Sequence, residues 1–98
     1  MINALIIDEK DDVAVAIEPI EIGTEISYVA KDGKVKTLMA LDNITIYHKI
    51  ATRNVAKGNP IIKYGEHIGI ALTDIKAGMH VHVHNVQSHR ENLEEELI

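Results

Sequence analysis

Cysteine is absent from this 98-residue chain, and so are phenylalanine and tryptophan. Without cysteine there can be no disulfide, no zinc–thiolate or iron–sulfur ligation and no thiol nucleophile within the polypeptide. Any bound metal would therefore rest on histidine and carboxylates. Basic runs are also missing, and the formal charge is -5. That excludes the concentrated cationic face by which proteins hold a phosphate backbone. The opening MINALIIDEKDD meets acids after a few apolar residues, too soon for a signal h-region or a membrane span. These absences predict a soluble cytoplasmic protein with neither nucleic acid nor membrane as partner. A chain of this length is one domain, burying roughly two-thirds of the surface its unfolded form exposes, and folds without staples.

What is present is β-branched and alternating. Valine and isoleucine dominate the apolar set, which favours thin sheets over helices. Val13, Val15 and Ile17 share one strand phase, as do Ile44 and Ile46, and as do Ile68, Ile70 and Leu72. Asp32-Gly33, between SYVAK and KVKTL, has the two-residue signature of a type I′ hairpin. The fold class this predicts is all-β, with irregular folded-over strands, a β-hairpin and short helical turns.

Internal repetition is the strongest signal. With Gly23, Gly58 and Gly78 in register, VAVAIEPIEIGTEI from Val13, HKIATRNVAKGNPI from His48 and IGIALTDIKAGMHV from Ile68 align. Each copy predicts a strand ending at a turn (Pro19, Asn54 or Asp74) and then a short turn or one-turn helix. A glycine in left-handed backbone geometry follows, and a second strand leaves from Ile26, Ile61 or Val81. The exception to the aliphatic pattern is His48, which stands where Val13 and Ile68 stand in the other copies.

The same register interprets the run HVHVHN, His80 to Asn85. Val81 and Val83 are expected to face the core, and His80, His82 and His84 the opposite side. The other copies have Glu25, Ser27 and Val29, and Pro60, Ile62 and Tyr64, at those positions, so the scaffold does not demand histidine there. Alternate residues on a strand face lie about 6.5–7 Å apart, and two imidazoles at that spacing can converge on one ion while three in line strain to do so. Two ligands from the run plus others from elsewhere is one reading; polar residues of an exposed strand, some paired with carboxylates such as Glu66, is the other. His48 reads either as a functional group or as a core histidine bonded to backbone carbonyls.

Lys63-Tyr64-Gly65 suits a carboxylate-binding cation beside a hydroxyl donor or acid, or a strand end with a snorkelling lysine before a turn. His67, in the turn from Gly65 to Gly69, and His89 in the tail read as surface residues. Ser88-His89-Arg90-Glu91 fits a capping box, with Leu93 and Leu97 on one face of a short acidic helix. The division is thus a domain over 1–87 and an acidic helix or tail over 88–98.

The motifs HK at His48, IKYG, the IG step and GMHVHVHN, in that order, resemble the N-terminal SAF-type β-clip domain of the altronate and galactarate dehydratase family. The segments DDVAVAI and EIGTEI fit as well. The resemblance implies a metal-dependent hydro-lyase acting on a sugar acid, with iron(II) or manganese(II) as the divalent cofactor. In that family the domain precedes a large catalytic region or is a separate small subunit; the related sulfolactate sulfo-lyase is such a pair. The implied partner is therefore a large catalytic dehydratase subunit, and the chain alone is expected to be inactive. Isolated from that partner, the chain is expected to be able to self-associate through the apolar surface the partner would cover. His80, His82 and His84 become the expected metal ligands, and His48, Lys63 and Tyr64 the expected catalytic and substrate contacts. The alternatives are a non-catalytic carbohydrate- or metal-binding module and a sulfo-lyase small subunit.

Overall fold

The glycines that set the repeat take up the left-handed backbone it requires, with φ of 87° at Gly23, 88° at Gly58 and 95° at Gly78. In this computed structural model, which describes residues 1–6, 8 and 10–88, no helix occurs among those residues; the second stop in each copy is a plain turn. Apart from Ser88, which ends the last strand, the predicted acidic helix or tail over 88–98 lies outside the described residues. Among the described residues there are nine short strands: β1 (Ala4–Leu5), β2 (Val13–Ala16), β3 (Glu25–Val29), β4 (Val35–Met39), β5 (Lys49–Ala51), β6 (Pro60–Lys63), β7 (Glu66–Ala71), β8 (His80–Val81) and β9 (Val86–Ser88). They form antiparallel sheets ordered β1-β2-β5-β8, β3-β4 and β6-β7-β9. Among the described residues no helix is long and apolar enough to cross a membrane.

The structure contains a fourth copy of the unit. Ile20 bridges Ile44, just as Val55 bridges Ile75, and residues 37–50 (TLMALDNITIYHKI) fill the missing place. Ala40 then matches Ala16, Ala51 and Ala71, Asn43 matches the turn residues, and Tyr47 replaces glycine at φ 69°. Backbone bonds establish the equivalence. Gly23, Tyr47, Gly58 and Gly78 donate to the carbonyls of Ala40, Ala16, Ala71 and Ala51, each at 2.8 Å. Those alanines donate back to Thr24, His48, Asn59 and Met79 at 2.9 Å. The copies thus interlock as two pairs. The tyrosine in the glycine position hid the fourth copy from the alignment.

Each pair has its own core. Ala14, Ala16, Ile20, Ile26, Ala40, Ile44 and Ile50 pack in one, and Val13, Ala51, Val55, Ile61, Ile68, Ile75 and Val81 in the other. Consecutive residues of β2 thus enter different cores, so the Val13–Val15–Ile17 phase is only part of its burial: Ala14 and Ala16 are buried too, while Ile17 follows the strand and is exposed. Ile44 is a lone bridge residue and Ile46 lies in the next turn, so they do not form one strand face. In β7 a bulge opposite Ile61/Ile62 inserts Ile68 as an extra residue. Ile68 turns inward while Ile70 and Leu72 are exposed, because the extra residue reverses the alternation.

The two hairpin turns also differ from expectation. Asp32-Gly33 does join β3 to β4, but the loop has three residues: Gly33 donates to the Ala30 carbonyl at 2.9 Å, Ala30 donates to Lys34, and Gly33 but not Asp32 has positive φ. This is a type I turn followed by a left-handed glycine. The two-residue turn with both φ values positive is Tyr64-Gly65 (55° and 74°), closing β6 onto β7 with Lys63 opposite Glu66. His67 accordingly lies in β7 rather than in a turn.

Candidate functional site

Strand pairing brings the imidazoles together. β5 meets β8 with Ile50 opposite His80 and Lys49 opposite Val81. One step further in that register, His82 comes opposite His48, so His48, His80 and His82 share a side. The rings stack: His48 lies 5.1 Å from His80 and 4.5 Å from His82 between centroids, and His80 lies 5.6 Å from His82. His48 Nδ1 is 2.9 Å from His80 Nε2, and one ring nitrogen from each of the three residues falls within 4.8 Å of the others. His84 joins as a tilted neighbour of His80 at 5.2 Å and is exposed, outside the group of three.

The expected continuous strand stops at Val81, which is fully buried. Val83 is 39% exposed, not core, because residues 82–85 turn. Asn85, itself 3% exposed, makes that turn: its Oδ1 accepts the His82 N–H at 3.0 Å and its Nδ2 donates to the His80 carbonyl at 2.8 Å. Its own carbonyl accepts from Leu72. Asp42 holds the other end, accepting the His80 N–H at 2.9 Å. Asn85 and Asp42 are positioning residues that the sequence reading passed over, although an asparagine closing an alternating run is itself a turn signal.

His48 is partly exposed rather than a core residue. Its place is explained by the fourth copy, where it follows the left-handed residue as Thr24, Asn59 and Met79 do. Partial burial lowers its pKa, with His82 and Lys49 adding to the effect. Burial takes His80 down to about 4, helped by His48, His84 and His82 and opposed by Asp42. At neutral pH the His80 imidazole is thus uncharged, the form that ligates metals.

Lys63 and Tyr64 meet each other, with the amine 4.5 Å above the ring centroid. They do not join the imidazole group; they form a second cluster with Lys49, which the sequence reading did not single out. Lys49 is 6% exposed, and burial, with Lys63 nearby, lowers its pKa to about 8. The turn that carries Tyr64 is fastened from below. Buried Asp11 accepts the Gly65 N–H at 2.8 Å, and Asp12 accepts the Ile62 N–H at 2.8 Å while pairing with Arg53 at 3.2 Å.

Three imidazoles suit a borderline divalent cation. Without an ion, the 2.9 Å between His48 Nδ1 and His80 Nε2 is a hydrogen bond between the two rings, and the His82 ring nitrogen lies within 4.8 Å of both. The fold and this group together define a β-clip domain with an imidazole cluster beside its edge strand. Residues 2–89 match the altronate/galactarate dehydratase SAF domain, and the chain belongs to that family. It is 42% identical over 85 residues to altronate dehydratase of Escherichia coli, an alignment covering 87% of this chain and 16% of that protein. Against subunit alpha of (2R)-sulfolactate sulfo-lyase from Chromohalobacter salexigens the identity is 34% over 88 residues, covering 87% of this chain and 94% of the relative. Altronate dehydratase of Bacillus subtilis is 33% identical over 88 residues, 90% of this chain and 17% of that protein. The chain therefore spans about a sixth of the altronate dehydratases it matches and nearly the whole of the sulfo-lyase subunit.

Proposed function

We propose that this chain is the small subunit of a metal-dependent hydro-lyase that removes water from a sugar acid, sharing its active site with a separate large catalytic subunit. The observation that carries this reading is the convergence of His48, His80 and His82 in a member of a dehydratase family. These three residues would hold iron(II) or manganese(II), with His84 beside them. Three protein ligands leave coordination positions for substrate and for groups from the partner. When bound, such a cation would stabilise the negative charge that develops beside a carboxylate on loss of the α-proton, and would assist the departing oxygen. His48, expected as an acid–base group or substrate contact, is counted among the proposed ligands because its Nδ1 lies 2.9 Å from His80 Nε2. Lys63 and Tyr64 remain available to a substrate carboxylate or hydroxyl. A second reading, the small subunit of a sulfolactate-type sulfo-lyase, is favoured by the near-complete span of that relative.

The test is to co-purify the chain with its candidate large subunit, anaerobically, with iron(II) or manganese(II). Metal content and turnover of altronate, galactarate and sulfolactate are then measured. We expect one metal per small subunit, and loss of metal and at least a hundredfold of turnover in the His80→Ala, His82→Ala double variant. Unchanged metal content and turnover in that variant would overturn the assignment.

A further inference from the structure

The β3–β4 hairpin carries two lysines that the imidazole site does not use. Lys36 stands opposite Tyr28 in the β3–β4 register, so the two side chains share a face of the ribbon, and Lys31 opens the loop that joins the strands. With Ile6, Ala30 and Thr52 they line a cavity of about 190 Å³. Arg53 closes one wall, its guanidinium already engaged by the Asp12 carboxylate at 3.2 Å and the Asp11 carbonyl at 2.9 Å. The two lysines differ. Among the described residues neither Lys31 nor Lys36 has an ion pair, and no acidic side chain among them lines the cavity. In a chain of formal charge -5 this is a local reversal of sign.

Tyr28 supplies a second observation. It is 8% exposed, and its phenol has no hydrogen-bond partner among the described residues. No sealed side-chain oxygen or nitrogen there lacks a bond, so the Tyr28 hydroxyl opens to the cavity that its residue lines. Burial raises its pKa above the ordinary 10, which keeps it a donor at neutral pH. The Thr52 hydroxyl, on the same cavity, also makes no hydrogen bond among the described residues. Two uncompensated cations and two hydroxyls beside the apolar Ile6 and Ala30 match a short carbon chain that bears a carboxylate and further oxygens. The volume is below the roughly 300–1,000 Å³ of sites that take drug-sized ligands, which excludes a nucleotide. The geometry points to a binding site for a small hydroxy acid in this cavity, separate from the imidazole group. Lys31 and Lys36 hold the carboxylate, Tyr28 and Thr52 bond the remaining oxygens, and the carbons rest on Ile6 and Ala30. Thr52 follows the last residue of β5, whereas His48 precedes its first. The site is therefore at the other end of that strand and does not depend on the metal reading.

The experiment uses the full 98-residue chain freed of metal with a chelator. Its backbone amide and lysine ¹³Cε NMR signals are followed during titration with glycerate, with glycerol as the neutral counterpart and inorganic phosphate as an anion without carbon. Saturable shifts at Tyr28, Lys31, Lys36 and Thr52 with glycerate, absent with glycerol and weaker with phosphate, support the site. Binding is expected to weaken about tenfold or more in the Lys31→Met, Lys36→Met double variant and about threefold in Tyr28→Phe. Both variants keep the fold, since the lysines are exposed and the phenylalanine removes only an unbonded oxygen. The proposal is overturned by shifts confined to His48, His80 and His82 or by no saturable shift at all. It is equally overturned by equal binding of glycerol or phosphate, or by undiminished glycerate binding in either variant. Because no metal is present, none of these outcomes bears on the imidazole group as a metal site.

Discussion

Tyr47 occupies a left-handed position that the three equivalent copies give to glycine. A bulky residue there is strained by about 1–3 kcal/mol. Tyr47→Gly is expected to stabilise the protein by about 1 kcal/mol, after the larger chain entropy of glycine is subtracted, read from the urea midpoint. The same residue explains what the alignment missed: a repeat search anchored on glycine cannot see a copy whose glycine is replaced, although the Ala40, Asn43 and Ile44 spacing was there. The imidazole group was half legible for a related reason. Alternation placed His80 and His82 together, but the approach of His48 depends on the β5–β8 register, which no local pattern reveals. Its protonation offers a second measurement. His80 titrates near 4 in the folded protein against an ordinary 6.5, so the unfolded chain binds the proton more tightly between those values. Stability is complete above about pH 6.5 and falls as the pH drops toward 4, and His48 shifts in the same direction. For the metal-free protein, the urea midpoint is expected to decline across that window, and the decline to be shallower in His80→Gln.

Among the elements, the turn over residues 82–85 matters most to the site. It ends a strand that its sequence would let continue, and it does so through the two side-chain bonds of Asn85. Asn85→Ala is expected to cost about 2 kcal/mol, the loss of two bonds at a buried position, and to weaken the proposed binding of manganese by the whole group. Denaturant unfolding and a manganese titration would measure the two effects separately. Periodicity could not have located this stop, because HVHVHN alternates correctly through it. Turn chemistry misled in a similar way at the hairpins. Asp-Gly favours a two-residue turn, but the structure gives that turn to Tyr64-Gly65, where Asp11 accepts the glycine N–H; tertiary hydrogen bonds outweigh local preference. The β7 bulge has the same character, since an inserted residue is visible only once the partner strand is known.

For the whole molecule, the all-β class and the outgoing strands at Ile26, Ile61 and Val81 were legible, and all three residues are 1% exposed or less. The division into two cores was not, because it follows from the pairing of copies rather than from any one of them. That pairing makes residues 48–50 the end of the fourth copy and the beginning of the second. His48 accepts from Ala16 in one pair, Ile50 packs in the first core, and Ala51 packs in the second. A cut in the hairpin loop at residues 31–33 leaves both pairs able to assemble, whereas a cut at 47–48 breaks the strand they have in common. The imidazole group is therefore built where the two pairs join, so a change that loosens residues 48–51 reaches both cores and the site together.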